Sequence, residues 1–217
     1  MNKVQNMGFP SNVSLKDSLK KLENYFDFLN NLAFKGELER PVITISPDQT
    51  SGAYGWCSVN KIWNNGDDTN GYYEINLCSE HLNRPINEVI STLLHEMVHL
   101  FNLTIANVQD TSRNGYYHNT KFKKAAEDHG LNCEKTEKYG WSKTTLRDWV
   151  VDAISEHADE GFSLHRNIFA NPAVGKASKK SSSRKYVCPT CGAIVRATKE
   201  VHIICGDCDC EFELEED

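Results

Sequence analysis

Leu93-Leu94-His95-Glu96-Met97-Val98-His99 is the stretch from which the rest of the chain is understood. It reads H-E-x-x-H inside an apolar helical run. Two imidazoles four residues apart on an α-helix share one face, with Cβ atoms about 5–6 Å apart. That separation lets two ring nitrogens meet on one zinc ion. Glu96 then lies beside the metal, placed to take a proton from a bound water. The pattern predicts a zinc-dependent peptidase. Around it, Ile86, Val89, Ile90, Leu93, Met97 and Phe101 form an apolar stripe with a period near 3.6. His95 and His99 fall off that stripe, on a neighbouring face that can look into a cleft.

A catalytic zinc takes three protein ligands and keeps one position open for water. The metzincin extension is absent, because Asn102 and Ile105 stand where it needs Gly and His. The third ligand therefore comes from elsewhere. His118 follows a turn-rich loop and opens the next helix, so its return to the metal is geometrically easy. Glu127, Glu156, His129 and His157 are the alternatives. Tyr116 and Tyr117 are candidate oxyanion partners or packing aromatics.

Composition narrows the class. The chain has 217 residues, 39% hydrophobic and 25% charged, as expected of a soluble globular protein. A formal net charge of −6 excludes a uniformly basic nucleic-acid binder. No run of about 18 apolar residues is present, so no membrane span is expected. The start, Met1 to Gly8, carries no apolar signal core, and a cytoplasmic location is expected. Four of the eight cysteines fall into two C-x-x-C pairs, which favours metal binding over disulfides. Cys57, Cys78, Cys133 and Cys210 are expected as buried or idle thiols.

Periodicity predicts an α+β domain. Leu15, Leu19, Leu22, Phe26 and Leu29 mark an amphipathic helix over 14–34, capped by Asn12 or Ser14 and stopped at Gly36. Residues 42–46, 53–59 and 72–78 read as strands of a small, largely antiparallel sheet packed on helices. Pro85 suits the first turn of the H-E-x-x-H helix. Residues 121–129 read as a short helix ending at Gly130, and 144–158 as another.

Residues 169–186 change character. Gly175 to Lys185 is rich in Lys and Ser, and the stretch reads as a flexible basic linker separating a main domain over 12–168 from a small segment over 187–214. In that segment Cys188-Pro189-Thr190-Cys191 and Cys205-Gly206-Asp207-Cys208 are two knuckles suited to one tetrahedral zinc in a zinc ribbon. The segment is too short for a self-sufficient core, so metal binding supplies most of its folding free energy. Cys210 and His202 are spare candidate ligands. No acid occurs between Lys176 and Lys199, and Lys179, Lys180, Arg184, Lys185 and Arg196 are the candidate phosphate contacts. Beside the peptidase stands a second reading, a non-enzymatic nucleic-acid-binding adaptor with structural zinc only.

Four stretches resemble the SprT-like metalloprotease family, which includes Spartan-type proteases. Tyr25 to Leu38 resembles its first helix and the exit from it. Gly52-Ala53-Tyr54-Gly55 and Tyr73-Glu74-Ile75-Asn76-Leu77 are similar to its strands, and Thr92 to His99 to its zinc helix. His118-Asn119-Thr120-Lys121-Phe122 resembles its H-G-x-x-F, which supplies the third histidine ligand. Asn119 replaces the usual Gly, and Asn tolerates positive φ. The resemblance covers about residues 20–133, and a four-cysteine ribbon is a frequent companion. It implies a zincin-type fold over 12–168, a catalytic zinc on His95, His99 and His118, and a structural zinc on Cys188, Cys191, Cys205 and Cys208. It further implies cleavage of proteins bound or crosslinked to DNA, as in DNA repair, with DNA, single-stranded DNA favoured, as activator.

Overall fold

The computed structural model describes residues 14–48, 52–66, 71–156, 161–167 and 184–215. They belong to two compact units, one within residues 1–168 and one within 169–217.

The first unit mixes helices with two small sheets. Helix α1 spans Leu15–Phe34. The Ser14 hydroxyl oxygen accepts the Asp17 N–H at 3.2 Å and caps its start, whereas Asn12 lies outside the described residues. It ends where Lys35 turns left-handed at φ 57° and Gly36 follows at φ 74°. Strands β1 (Val42–Ser46), β2 (Gly55–Cys57) and β3 (Glu74–Cys78) form one sheet in the order β1-β3-β2. The expected antiparallel character holds for β2 and β3 only, since β1 runs parallel to β3. The connection from Ser46 to Glu74 carries the chain back to the starting end of the sheet, and β2 is laid down on the way.

Helix α2 (Ile86–Thr104) is the centre of the unit. Pro85 stands immediately before its first residue, where a missing N–H costs nothing. Leu94, Val98 and Leu100 are buried together with the expected Val89, Ile90, Leu93 and Met97. The helix is thus wrapped on most sides, by α1 and the first sheet and by a second sheet not anticipated from sequence. That sheet contains β4 (Thr111–Ser112), β5 (Tyr117–His118), β6 (Leu131–Thr136) and β7 (Gly140–Leu146), ordered β4-β5-β7-β6. Helix α3 (Thr120–Asp128) links β5 to β6. The helix expected over 144–158 is shorter: residues 144–146 finish β7, and α4 covers Asp148–Ser155. Leu146 pairs with Leu131 across the hairpin, and both are buried.

The second unit is built of short strands. β8 (Arg184–Val187), β9 (Ile194–Ala197) and β12 (Glu213–Glu215) form one sheet, and β10 (Ile204–Cys205) pairs with β11 (Cys210–Glu211). Its buried apolar cluster is Tyr186, Cys188, Cys205 and Phe212. Among the described residues no helix is long and apolar enough to cross a membrane.

Candidate metal centre

Two ligand-type residues come from α2 and one from β5. His95 and His99 lie one turn apart on α2, and His118 ends β5 just before α3. The His118 Nε2 is 3.0 Å from His95 Nε2 and 3.1 Å from His99 Nε2. All three ring nitrogens lie within 4.8 Å of one another. A tetrahedral zinc with Zn–N of about 2.0–2.1 Å holds its nitrogens about 3.3 Å apart, so the cluster fits that ion.

The opposite ring nitrogens explain why the three Nε2 atoms converge. His99 Nδ1–H donates to Asp110 Oδ2 at 2.8 Å, and His118 Nδ1–H donates to the Tyr139 carbonyl at 3.2 Å. His95 Nδ1 is 3.2 Å from the Thr144 hydroxyl. A carboxylate and a carbonyl only accept, so the protons of His99 and His118 sit on Nδ1 and their Nε2 lone pairs are free for a metal. Asp110 is buried, and its Oδ2 also accepts Asn102 Nδ2–H at 2.9 Å. Its carbonyl accepts the Asn119 N–H at 2.9 Å, so one residue ties α2 to the segment bearing His118. Phe122 is fully buried beneath the cluster, its ring centroid 4.6–4.7 Å from all three imidazoles.

Backbone geometry fixes His118. Its N–H donates to the Tyr139 carbonyl, the same oxygen that receives its Nδ1–H. Gly140 lies opposite His118 in the parallel β5–β7 pairing, at φ 69°. A Cβ there would stand 2.1 Å from the His118 carbonyl oxygen. Asn119 does not use positive φ. At φ −89° it is the N-cap of α3, its side-chain oxygen accepting the Lys121 and Phe122 N–H groups. The residue that replaces the usual Gly thus serves as a helix cap.

Glu96 is 5% exposed, on the face of α2 turned toward β2. At Gly55 in β2, a Cβ would stand 3.2 Å from Glu96 Oε1 and 2.8 Å from the Asn76 carbonyl oxygen. Only the absence of a side chain lets the strand lie against that carboxylate. Burial raises the Glu96 carboxyl to about 7, with His99 opposing and Asp110 assisting. Burial pushes His95 well below the ordinary imidazole range and His118 down to about 4. Both rings are therefore neutral at neutral pH, the form that binds metal. Burial, the largest single influence, acts to lower His99, but its hydrogen bond to Asp110 and the charges of Asp110 and Glu96 together leave it raised.

The other candidates for third ligand stand apart. Glu127 pairs with Lys123 at 3.5 Å, and Glu156 is exposed at the end of α4. His129 stacks on Phe34 at 4.4 Å, meets the tilted Phe101 ring at 4.3 Å and donates to the Ala125 carbonyl, a packing role. His157 lies outside the described residues. Tyr116 is exposed, and Tyr117 lies under the Arg113 guanidinium.

In the ribbon, the sulfurs of Cys188, Cys191, Cys205 and Cys208 lie within 4.8 Å of one another, a donor set that fits tetrahedral zinc. The Cys191 N–H lies 3.5 Å from Cys188 Sγ, and hydrogen bonding of this kind draws that thiol below its ordinary range. His202 is exposed and pairs with Glu211 instead. Of the candidate phosphate contacts, Lys179 and Lys180 lie outside the described residues. Arg184 donates to the Thr198 carbonyl, and Lys185 pairs with Glu215 and stands opposite Arg196. Residues 184–215 carry four basic and six acidic side chains, so the cationic character of this region belongs to the stretch before the ribbon.

No curated protein and no solved structure matches the chain. The SprT-like family matches residues 22–139, a segment that runs from within α1 through all three histidines. With more than half of its length matched and the three-histidine cluster inside the matched segment, the chain belongs to the SprT-like family.

Proposed function

We propose that the chain is a zinc-dependent endopeptidase with a zincin-type catalytic domain, acting on DNA-associated or DNA-crosslinked proteins. The observation that carries this reading is the convergence of three imidazoles on one point, with a buried carboxylate one residue from the first of them. His95, His99 and His118 hold the ion, and Cys188, Cys191, Cys205 and Cys208 hold a second, structural one. A bound zinc supplies a Lewis acid that polarises a carbonyl and acidifies a water. Glu96 accepts the proton of the attacking water and delivers it to the leaving amine. Without a metal, burial holds the Glu96 carboxyl at about 7, and the positive charge of a bound zinc would favour the ionised form that accepts a proton. Gly55 lets β2 pack directly against Glu96, which fixes where the carboxylate lies. Asp110, Thr144 and the Tyr139 carbonyl hold the three rings in place.

DNA enters the proposal through family membership and through Lys176, Lys179, Lys180, Arg184 and Lys185, a run without an acid. The test is cleavage of a DNA-binding protein with and without single-stranded DNA, by the wild type and by Glu96→Gln. The expected result is DNA-stimulated cleavage by the wild type and none by the variant, both carrying the same zinc. Equal cleavage by the two proteins would remove Glu96 from the mechanism. Cleavage unaffected by DNA would leave a general peptidase. DNA binding that falls steeply with salt, without turnover, would leave the adaptor.

A further inference from the structure

The ribbon has a fifth cysteine that its metal cluster does not use. Cys210 Sγ lies 3.5 Å from Cys188 Sγ, yet Cys210 stands outside the group of four mutually close sulfurs. Strand pairing places it there: on β11, Cys210 is directly opposite Cys205 on β10. Cys188 is 1% exposed, whereas Cys210 is half-buried and reachable from solvent. The Thr190 hydroxyl lies 3.4 Å from the Cys210 sulfur and flanks it. A disulfide needs its sulfurs about 2.0 Å apart, so closure takes a shift of about 1.5 Å in a two-strand ribbon.

We propose that Cys188 and Cys210 form an oxidation site, a peroxide-sensitive thiol pair whose disulfide withdraws one thiolate from the four-cysteine cluster. The pair itself needs no metal; its consequence, zinc release, rests on reading the cluster as a zinc site. With zinc held by Cys188, Cys191, Cys205 and Cys208, Cys210 is the one described ribbon thiol whose sulfur is not committed to the metal. Its thiolate attacks hydrogen peroxide, giving a sulfenic acid and hydroxide, which takes up the proton the thiol had released and leaves as water. The Cys188 sulfur then attacks the sulfenic sulfur, forming the S–S bond and expelling hydroxide, which leaves as water. Two thiols lose two electrons and two protons, and one peroxide becomes two waters. The cluster drops from four thiolates to three, and the ribbon loses the metal that organises it.

The experiment treats the zinc-loaded full chain with limiting hydrogen peroxide, quenches by alkylation, maps linked peptides and follows zinc with a chelating dye. The expected result is a Cys188–Cys210 linked peptide that appears together with loss of one zinc per chain. Cys210→Ser should load zinc like the wild type and lose both the linked peptide and the peroxide-driven release. Release from Cys210→Ser at the wild-type rate would overturn the proposal, as would a linked peptide joining Cys191 to Cys205. A zinc deficit in untreated Cys210→Ser would overturn it too, by making Cys210 a ligand. If the untreated wild type holds no ribbon zinc yet still forms the Cys188–Cys210 link, the thiol pair stands and the zinc reading of the ribbon falls.

Discussion

The two candidate metal sites stand in opposite relations to the folds that carry them. The histidine site is built by its unit. Its core holds twenty-five buried apolar residues among those described, seven of them on α2, and the three rings are aimed by partners from three other segments before any metal is considered. The cysteine site builds its unit. Only four of its described residues are buried around it, and two of them are the candidate ligands Cys188 and Cys205. Removing metal from the first should leave a folded protein with an idle site, and removing it from the second should leave little fold at all.

The largest test of that contrast is chelation. A structural zinc of this type contributes about 10–16 kcal/mol to a small domain. Hydrogen exchange on the chelated chain should show amide protection lost over residues 184–215 and kept over residues 86–104. Ribbon amides that stay protected without metal would break the contrast. Next in size is Gly140→Ala, which sets a methyl against the His118 carbonyl. It should cost about 2–4 kcal/mol in urea unfolding and should weaken zinc at the histidine site while the ribbon keeps its own. Unchanged zinc affinity would mean that the Tyr139–Gly140 backbone does not hold His118.

Glu96 gives a prediction with a defined pH window. Its carboxyl ionises at about 7 in the folded metal-free chain and near its ordinary value of 4.5 in the unfolded one. The unfolded state therefore releases its proton first, and Glu96 costs stability as pH rises from 4.5 to 7. Glu96→Gln removes that cost. Its advantage over the wild type should grow by about 3 kcal/mol across this window and stay flat above it. Tryptophan fluorescence during urea unfolding reads this directly, since Trp56, Trp63, Trp141 and Trp149 all lie in the first unit. The smallest effect is Asp110→Ala. It leaves His99 without its acceptor and should weaken zinc about 10–100-fold, measured by competition with a chelator. No change would show that Phe122 and the helix suffice to aim the ring.

What was legible in the sequence follows the range of the interactions. Helices α1, α2 and α3 announce themselves through period 3.6 and capping residues, which are local signals. His95, Glu96 and His99 share one helical turn and needed no tertiary knowledge. His118 stood level with Glu127, Glu156, His129 and His157 on residue type alone, and its place after a turn-rich loop together with the family resemblance separated it. The parallel pairing of β1 with β3 was not legible, because strand order depends on how the long connection returns over the core. Strand β7 was not anticipated, and its last residues fall within the expected helix because Leu146, Val150, Ala153 and Ile154 have helical spacing, although Leu146 closes a hairpin. The supports of the metal site were invisible for a plainer reason. Tyr139 contributes a carbonyl, which any residue has, and Asp110 sits in a loop with no period to mark it. Gly140 carries no local mark of the His118 backbone that lies against it.

The central claim is that His95, His99 and His118 hold one metal ion in a site the fold has already formed. Zinc content of the purified full chain tests it most directly, comparing wild type with His118→Ala under conditions where the ribbon stays loaded. The account predicts two zinc ions per chain in the wild type and one in the variant, with the helical circular dichroism of the variant unchanged. Two zinc ions retained in His118→Ala would contradict it.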